Sequence, residues 1–101
     1  MKLVYSANAK QNLTEITEFI LKDKPTAARK WVSSIRASVN KLTTFPRLGR
    51  MVPEYSEETI REIIKGAYRI VYKIDWPNDT IVILAVHHSK RPLPQAIPDK
   101  S

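Results

Sequence analysis

Apolar positions repeat with one period through the first half of the chain and with another through the second. From Ala9 they fall at Ala9, Leu13, Ile16 and Ile20, with Phe19 alongside, and Thr14, Glu15, Thr17 and Glu18 fill the opposite side. That spacing is a helical stripe. Ser6 stands where an N-cap belongs, and Asp23-Lys24-Pro25 breaks the pattern, so the helix ends near Lys22. Pro25 suits the first position of a second helix, whose stripe runs Ala28, Trp31/Val32, Ile35, Val39 and Leu42. Lys24, Arg29, Lys30, Arg36 and Lys41 line its other side. Two helices joined this tightly form an antiparallel hairpin. A short β-prone opening, Lys2 to Tyr5, precedes them.

The segment from Phe45 to Pro53 is punctuated by Pro46, Gly49 and Pro53 and reads as loop, as does the acidic run Glu54 to Glu58. Beyond it the period becomes 2. Thr59 to Lys65 reads as a strand, Gly66 as a turn, and Ala67 to Asp75 as a second strand with Tyr68, Ile70, Tyr72 and Ile74 on one face. Trp76-Pro77-Asn78-Asp79 is a reverse turn, and Thr80 to His87 is a third strand, apolar on both faces as a central strand is. Short connections make these strands an antiparallel meander. The expected fold is α+β, in the order β-α-α-β-β-β. The helical hairpin covers one face of a small antiparallel sheet and the other face stays partly open. Residues 1–93 make one domain, and residues 94–101, with Pro94 and Pro98, read as a mobile tail.

Composition narrows the chemistry. The chain has 101 residues and no cysteine, which excludes disulfides, thiolate metal sites and a cysteine nucleophile. Gly49 and Gly66 are the only glycines, so no phosphate-cradling glycine loop can be drawn. No apolar run approaches the roughly 20 residues of a membrane span, and the start lacks a secretory h-region. The expectation is a small soluble intracellular protein without membrane contact. Net charge is +7, and it is uneven: residues 1–50 carry ten basic and three acidic side chains, residues 51–101 seven of each. A basic surface attracts a polyanion or an acidic polypeptide, and charge alone does not choose between them.

The basic residues of the strands are the candidate site. Arg61 and Lys65 share one face of the first meander strand, Arg69 and Lys73 one face of the next. If the faces coincide, the open side of the sheet is a cationic floor, bordered by Arg47 and Arg50 from the loop and by Lys90 and Arg91 from the end of the last strand. Arginine suits phosphate because its fork donates two parallel hydrogen bonds. For any one of these residues, a solvated face whose charges discourage aggregation is the simpler explanation, since exposed charge is the commonest surface content. His87 and His88, adjacent on a strand, point to opposite faces, so one at most serves a small site as acid or base. No metal-ligand set and no cofactor motif is present.

Four strings in order resemble the RelE/ParE superfamily of bacterial toxins: Phe45-Pro46-Arg47-Leu48-Gly49-Arg50-Met51-Val52-Pro53-Glu54, Ile60-Arg61-Glu62, Gly66-Ala67-Tyr68-Arg69-Ile70-Val71-Tyr72-Lys73-Ile74, and Ile83-Leu84-Ala85-Val86-His87-His88-Ser89-Lys90-Arg91-Pro92. The resemblance spans about residues 1–93. It implies the toxin of a two-gene toxin–antitoxin module, neutralised by an antitoxin whose segment folds onto it in a hetero-oligomer. RelE-type members cleave messenger RNA on the ribosome, using basic residues and often a C-terminal tyrosine or histidine. Carried onto this chain, that set is Arg61, Arg69, His88, Lys90 and Arg91. ParE-type members lack that apparatus and poison DNA gyrase. The ending Val86-His87-His88-Ser89-Lys90-Arg91 resembles the ParE-like one, and Ser89 and Lys90 stand where nuclease members place His and Tyr. The resemblance therefore favours a ParE-like gyrase inhibitor, with a messenger RNA endoribonuclease as the alternative.

Overall fold

The computed structural model describes residues 1–93; the expected tail, 94–101, lies outside the described residues. The chain runs β1 (Lys2–Tyr5), α1 (Ala7–Asp23), α2 (Pro25–Asn40), β2 (Arg50–Met51), β3 (Ile60–Lys65), β4 (Tyr68–Asp75) and β5 (Thr80–His88). Single 3₁₀ turns at Lys41–Thr43 and Pro46–Leu48 link α2 to β2. Local chemistry sets the helix boundaries. The Ser6 hydroxyl accepts from the Ala9 N–H at 3.0 Å and donates to the Leu84 carbonyl at 3.1 Å, so one side chain starts α1 and ties it to β5. Pro25 opens α2 at a position where its missing N–H costs nothing.

The sheet has five strands in the order β1-β5-β4-β3-β2. β2, β3, β4 and β5 are antiparallel neighbours, but β1 lies parallel to β5, so the sheet is mixed rather than wholly antiparallel. Short turns dictate antiparallel pairing only for the strands they join. β1 reaches β5 after the whole hairpin and meander have intervened, so no turn constrains its direction. The stretch from Phe45 to Pro53 is also more ordered than a loop, since it contains a 3₁₀ turn and the two residues of β2. In the β3–β4 turn Gly66 takes φ of 58°, the left-handed conformation a tight hairpin needs.

The helical hairpin packs on the front of the sheet. Its core joins Ala9, Ile35, Val39 and Leu42 to Ile70, Tyr72, Ile74, Ile81 and Ile83. A bulge at Leu84 of β5, opposite the step from Val71 to Tyr72 of β4, shifts the register by one, pairing Val71 with Ala85 and Tyr72 with Ile83. Leu84 and Ala85 consequently both join the rear cluster with Val52, Ile60, Val71 and Leu93. The rear face is therefore not open at its centre. The segment that follows β2 and the chain after β5 fold back over it and bury Val71 and Leu84 completely.

Candidate functional site

Strand register decides where the arginines go. Arg61 lies opposite Tyr72, a front-face residue, whereas Glu62 lies opposite Val71 and Ile64 opposite Arg69, all on the rear. Arg61 and Lys65 are thus on the front and Arg69 and Lys73 on the rear. The continuous cationic floor expected from the sequence does not form, because the hairpin at Gly66 pairs odd positions of β3 with even positions of β4.

On the rear, Glu62 is fully buried and accepts from two arginines: Arg69 Nε at 2.5 Å and Arg50 Nε at 2.8 Å. The remaining fork of Arg69 holds Glu54 through Nη1 at 2.7 Å and Nη2 at 2.8 Å. Arg69 itself is only 8% exposed. The double hydrogen bond from Arg69 pulls the Glu54 carboxyl down to about 2, against a smaller opposing effect of burial. Glu54 in turn strengthens the hold of Arg69 on its proton. Two arginines and two glutamates cancel, so this part of the surface offers no net charge to an anion.

On the front, Arg61 is equally committed. Nη1 donates to the Gly49 carbonyl at 2.9 Å, Nη2 to Glu58 at 2.9 Å and Nε to the Glu58 carbonyl at 3.0 Å. Arg47 meets the same Glu58 at 2.8 Å, and its guanidinium lies 5.1 Å from the Trp76 ring centre. Hydrogen bonds from Arg47 and Arg61 hold the Glu58 carboxyl below its usual range. The Tyr72 hydroxyl donates to the Pro46 carbonyl at 2.6 Å and accepts from the Gly49 N–H at 2.9 Å. Burial pushes that hydroxyl up, and the Gly49 N–H works against it. A side chain on Gly49 would run into the Glu62 carbonyl and the Tyr72 hydroxyl. The string Phe45 to Glu54 is therefore held by Tyr72, Arg61, Glu62 and Arg69, and its own Arg50 and Glu54 complete the ties.

The other candidates lie elsewhere. Lys65 is exposed at the end of β3 and Lys73 is half-buried on β4. His88 stacks edge-on against Tyr68, with ring centres 5.5 Å apart, and Tyr68 stands likewise against Trp31 at 5.3 Å. His88 Nδ1 accepts from the Lys90 N–H at 3.1 Å, and His87 Nε2 sits 3.2 Å from the Pro92 carbonyl, so the two rings serve different neighbours. Lys90 and Arg91 are exposed. His88 and Arg91 border a groove of about 460 Å³ beneath Phe19 of α1. Of the five residues carried over from nuclease relatives, His88, Lys90 and Arg91 gather at this end of the sheet. Arg61 pairs with Tyr72, four residues along β4 from Tyr68, or about 13 Å at the rise of a strand. Among the described residues no cluster of His, Cys, Asp or Glu fit to hold a metal ion is found, and no helix is long and apolar enough to cross a membrane.

The sequence reading missed Glu54, Glu58 and Glu62 as partners of the arginines, and Tyr72 as the tie to Pro46 and Gly49. A signal for one of them was present. Glu62 alternates with Ile60 and Ile64, a carboxylate in an apolar stripe, and such a group must find a cation.

A helical hairpin laid on a mixed five-stranded sheet is an arrangement found in solved toxin–antitoxin systems. The same architecture occurs in the chromosomal ParDE toxin–antitoxin system from P. aeruginosa, with a TM-score of 0.74 at 19% identity over 89% of this chain and 97% of that one. It occurs again in the toxin–antitoxin complex RelBE2 from Mycobacterium tuberculosis, with a TM-score of 0.57 at 24% identity over 86% of this chain and 95% of that one. At these identities the likeness is one of fold. No curated protein matches the chain significantly in sequence. The family model for the ParE toxin of type II toxin–antitoxin systems, parDE, matches residues 3–93, and the chain belongs to that family.

Proposed function

We propose that this toxin arrests growth by inhibiting DNA gyrase as a binding protein rather than an enzyme, in the cytoplasm, and that a cognate antitoxin neutralises it. Family membership carries the toxin–antitoxin part of this reading. The ion-pair geometry supports the choice of target. A ribose-cleaving site needs cations free to meet a phosphate and a base beside them. Here Arg61 and Arg69 are on opposite faces and each is saturated by carboxylates or carbonyls. The basic character that remains, Lys65, Lys90, Arg91 and the helical hairpin, suits a protein partner.

The test is expression of the toxin alone, with plasmid topology and transcript ends read from the same culture. The expected result is loss of negative supercoiling and a DNA-damage response while messenger RNA stays intact. Transcripts cut within minutes, with topology unchanged, would replace this reading with the endoribonuclease built on His88, Lys90 and Arg91.

A further inference from the structure

The arginines of the sheet and its loops are neutralised, and the cations of α2 are not. Residues 24–53 carry seven basic side chains and no acidic one. Arg47 and Arg50 of that run are paired with Glu58 and Glu62. Arg29, Lys30, Arg36 and Lys41 are exposed, and among the described residues none of the four forms an ion pair. Charge within the hairpin is divided just as unevenly. α1 carries Glu15, Glu18 and Asp23 beside its lysines, whereas α2 has no carboxylate along its length.

At about 100° per residue, the exposed face of α2 resolves into three rows. Thr26, Ser33, Ala37 and Asn40 run down the middle. Arg29 and Arg36 flank them on one side and Lys30 and Lys41 on the other, the flanks about 120° apart. Lys41 keeps its row because its φ of -63° and ψ of -26° continue the helical turn. A protein interface places aromatic or large apolar anchors at its centre. This face exposes no apolar side chain larger than that of Ala37. Duplex DNA fits it better. The major groove, about 12 Å wide, admits one α-helix between two phosphate strands. Two cationic rows then meet the two strands, and small polar side chains between them let the helix settle towards the base edges.

We propose that the exposed face of α2 binds duplex DNA. The helix lies in the major groove, with Arg29 and Arg36 on the phosphates of one strand and Lys30 and Lys41 on those of the other. The inference does not rest on the gyrase reading. A toxin that binds DNA in this way and leaves supercoiling untouched keeps the one and loses the other.

The test is fluorescence anisotropy of a short labelled DNA duplex titrated with the full toxin over a range of salt. The variants are Arg29→Gln/Lys30→Gln, which takes one cation from each flank, and Ser33→Glu, which sets a carboxylate between them. Lys2→Gln is the control. Leu3 and Tyr5 of β1 pack against the front core, so Lys2 faces the rear of the sheet. All these positions are exposed, and an unchanged amide spectrum shows that each variant is folded. Four phosphate contacts predict a slope of about -3.6 for log affinity against log salt, or about a hundredfold loss between about 50 and about 200 mM. Arg29→Gln/Lys30→Gln is expected to bind at least about tenfold more weakly and to reduce the slope by about 2. Ser33→Glu is expected to abolish measurable binding, and Lys2→Gln to change it less than about twofold. Binding that both α2 variants retain with the wild-type slope would overturn the site, and so would no binding by wild type at the lower salt. Equal affinity for polyglutamate, or for an RNA duplex whose major groove is too narrow for a helix, would overturn it in favour of an unselective basic surface.

Discussion

Arg69→Ala separates a structural arginine from a ligand-binding one. Arg69 is 8% exposed and satisfies two carboxylates, Glu62 through Nε and Glu54 through both Nη atoms. Without it Glu62, fully buried, is left with the hydrogen bond from Arg50, whose side chain is 63% exposed. Removing one partner of a buried pair costs about 3–5 kcal/mol, because the other charge stays where water cannot reach it. Domains of this size have total stabilities of about 5–15 kcal/mol, so the loss is a large fraction. At about 4–8 °C per kcal/mol, the thermal midpoint should fall by at least about 12 °C. Urea unfolding followed by circular dichroism measures the change, and Arg69→Met/Glu62→Leu is the control. That pair removes both charges and keeps the volume, so most of the stability should return. An Arg69→Ala protein that unfolds at the wild-type urea concentration, yet has lost toxicity, would refute the reasoning and make Arg69 a contact residue.

Glu54 gives a pH test. Its carboxyl is held at about 2 in the folded protein against 4.5 for the free side chain, so its contribution is present above about pH 4.5 and is lost as pH falls towards 2. Glu54 is 37% exposed, so solvent screening limits the effect to about 1 kcal/mol. Urea midpoints at pH 6 and pH 3 should differ less in Glu54→Gln than in wild type, and an equal difference in both would contradict the assignment. Tyr72→Phe removes the donor to the Pro46 carbonyl and the acceptor for the Gly49 N–H. It should cost about 1–3 kcal/mol and speed amide exchange at Gly49, measured by NMR. Gly49→Ala drives a methyl into the Glu62 carbonyl and the Tyr72 hydroxyl. Overpacking of this kind costs about 1–3 kcal/mol, visible as a lower thermal midpoint.

Periodicity made the helices and the meander legible. Ser6, Pro25 and Gly66 each carry a local signal tied to one backbone geometry, and α1, α2 and the β3–β4 turn begin where those signals fall. The parallel pairing of β1 carried no such signal, since it depends on what packs beside β5 and not on any turn. The bulge in β5 was equally hidden. Ile81 to Val86 are apolar on both faces, so a one-residue change of parity leaves no trace in the pattern. The expectation of one shared cationic face failed for a related reason. Alternation assigned Arg61 and Lys65 to one face of a strand, and Arg69 and Lys73 to one face of the next, but not whether the two faces coincide. The register that separates them also brings Arg69 to Glu62 and frees Arg61 to reach Gly49 and Glu58. Pairings of residues distant in sequence are a property of register, which a single sequence states only weakly.

The central proposal is that Arg69 holds the scaffold and that gyrase is met by a separate surface. Purified Arg69→Met/Glu62→Leu protein in a gyrase supercoiling reaction tests it most directly. The account predicts that wild type and this folded variant block supercoiling at similar concentrations. A variant with an intact fold and no inhibition would contradict it, and so would a wild-type protein that leaves supercoiling untouched.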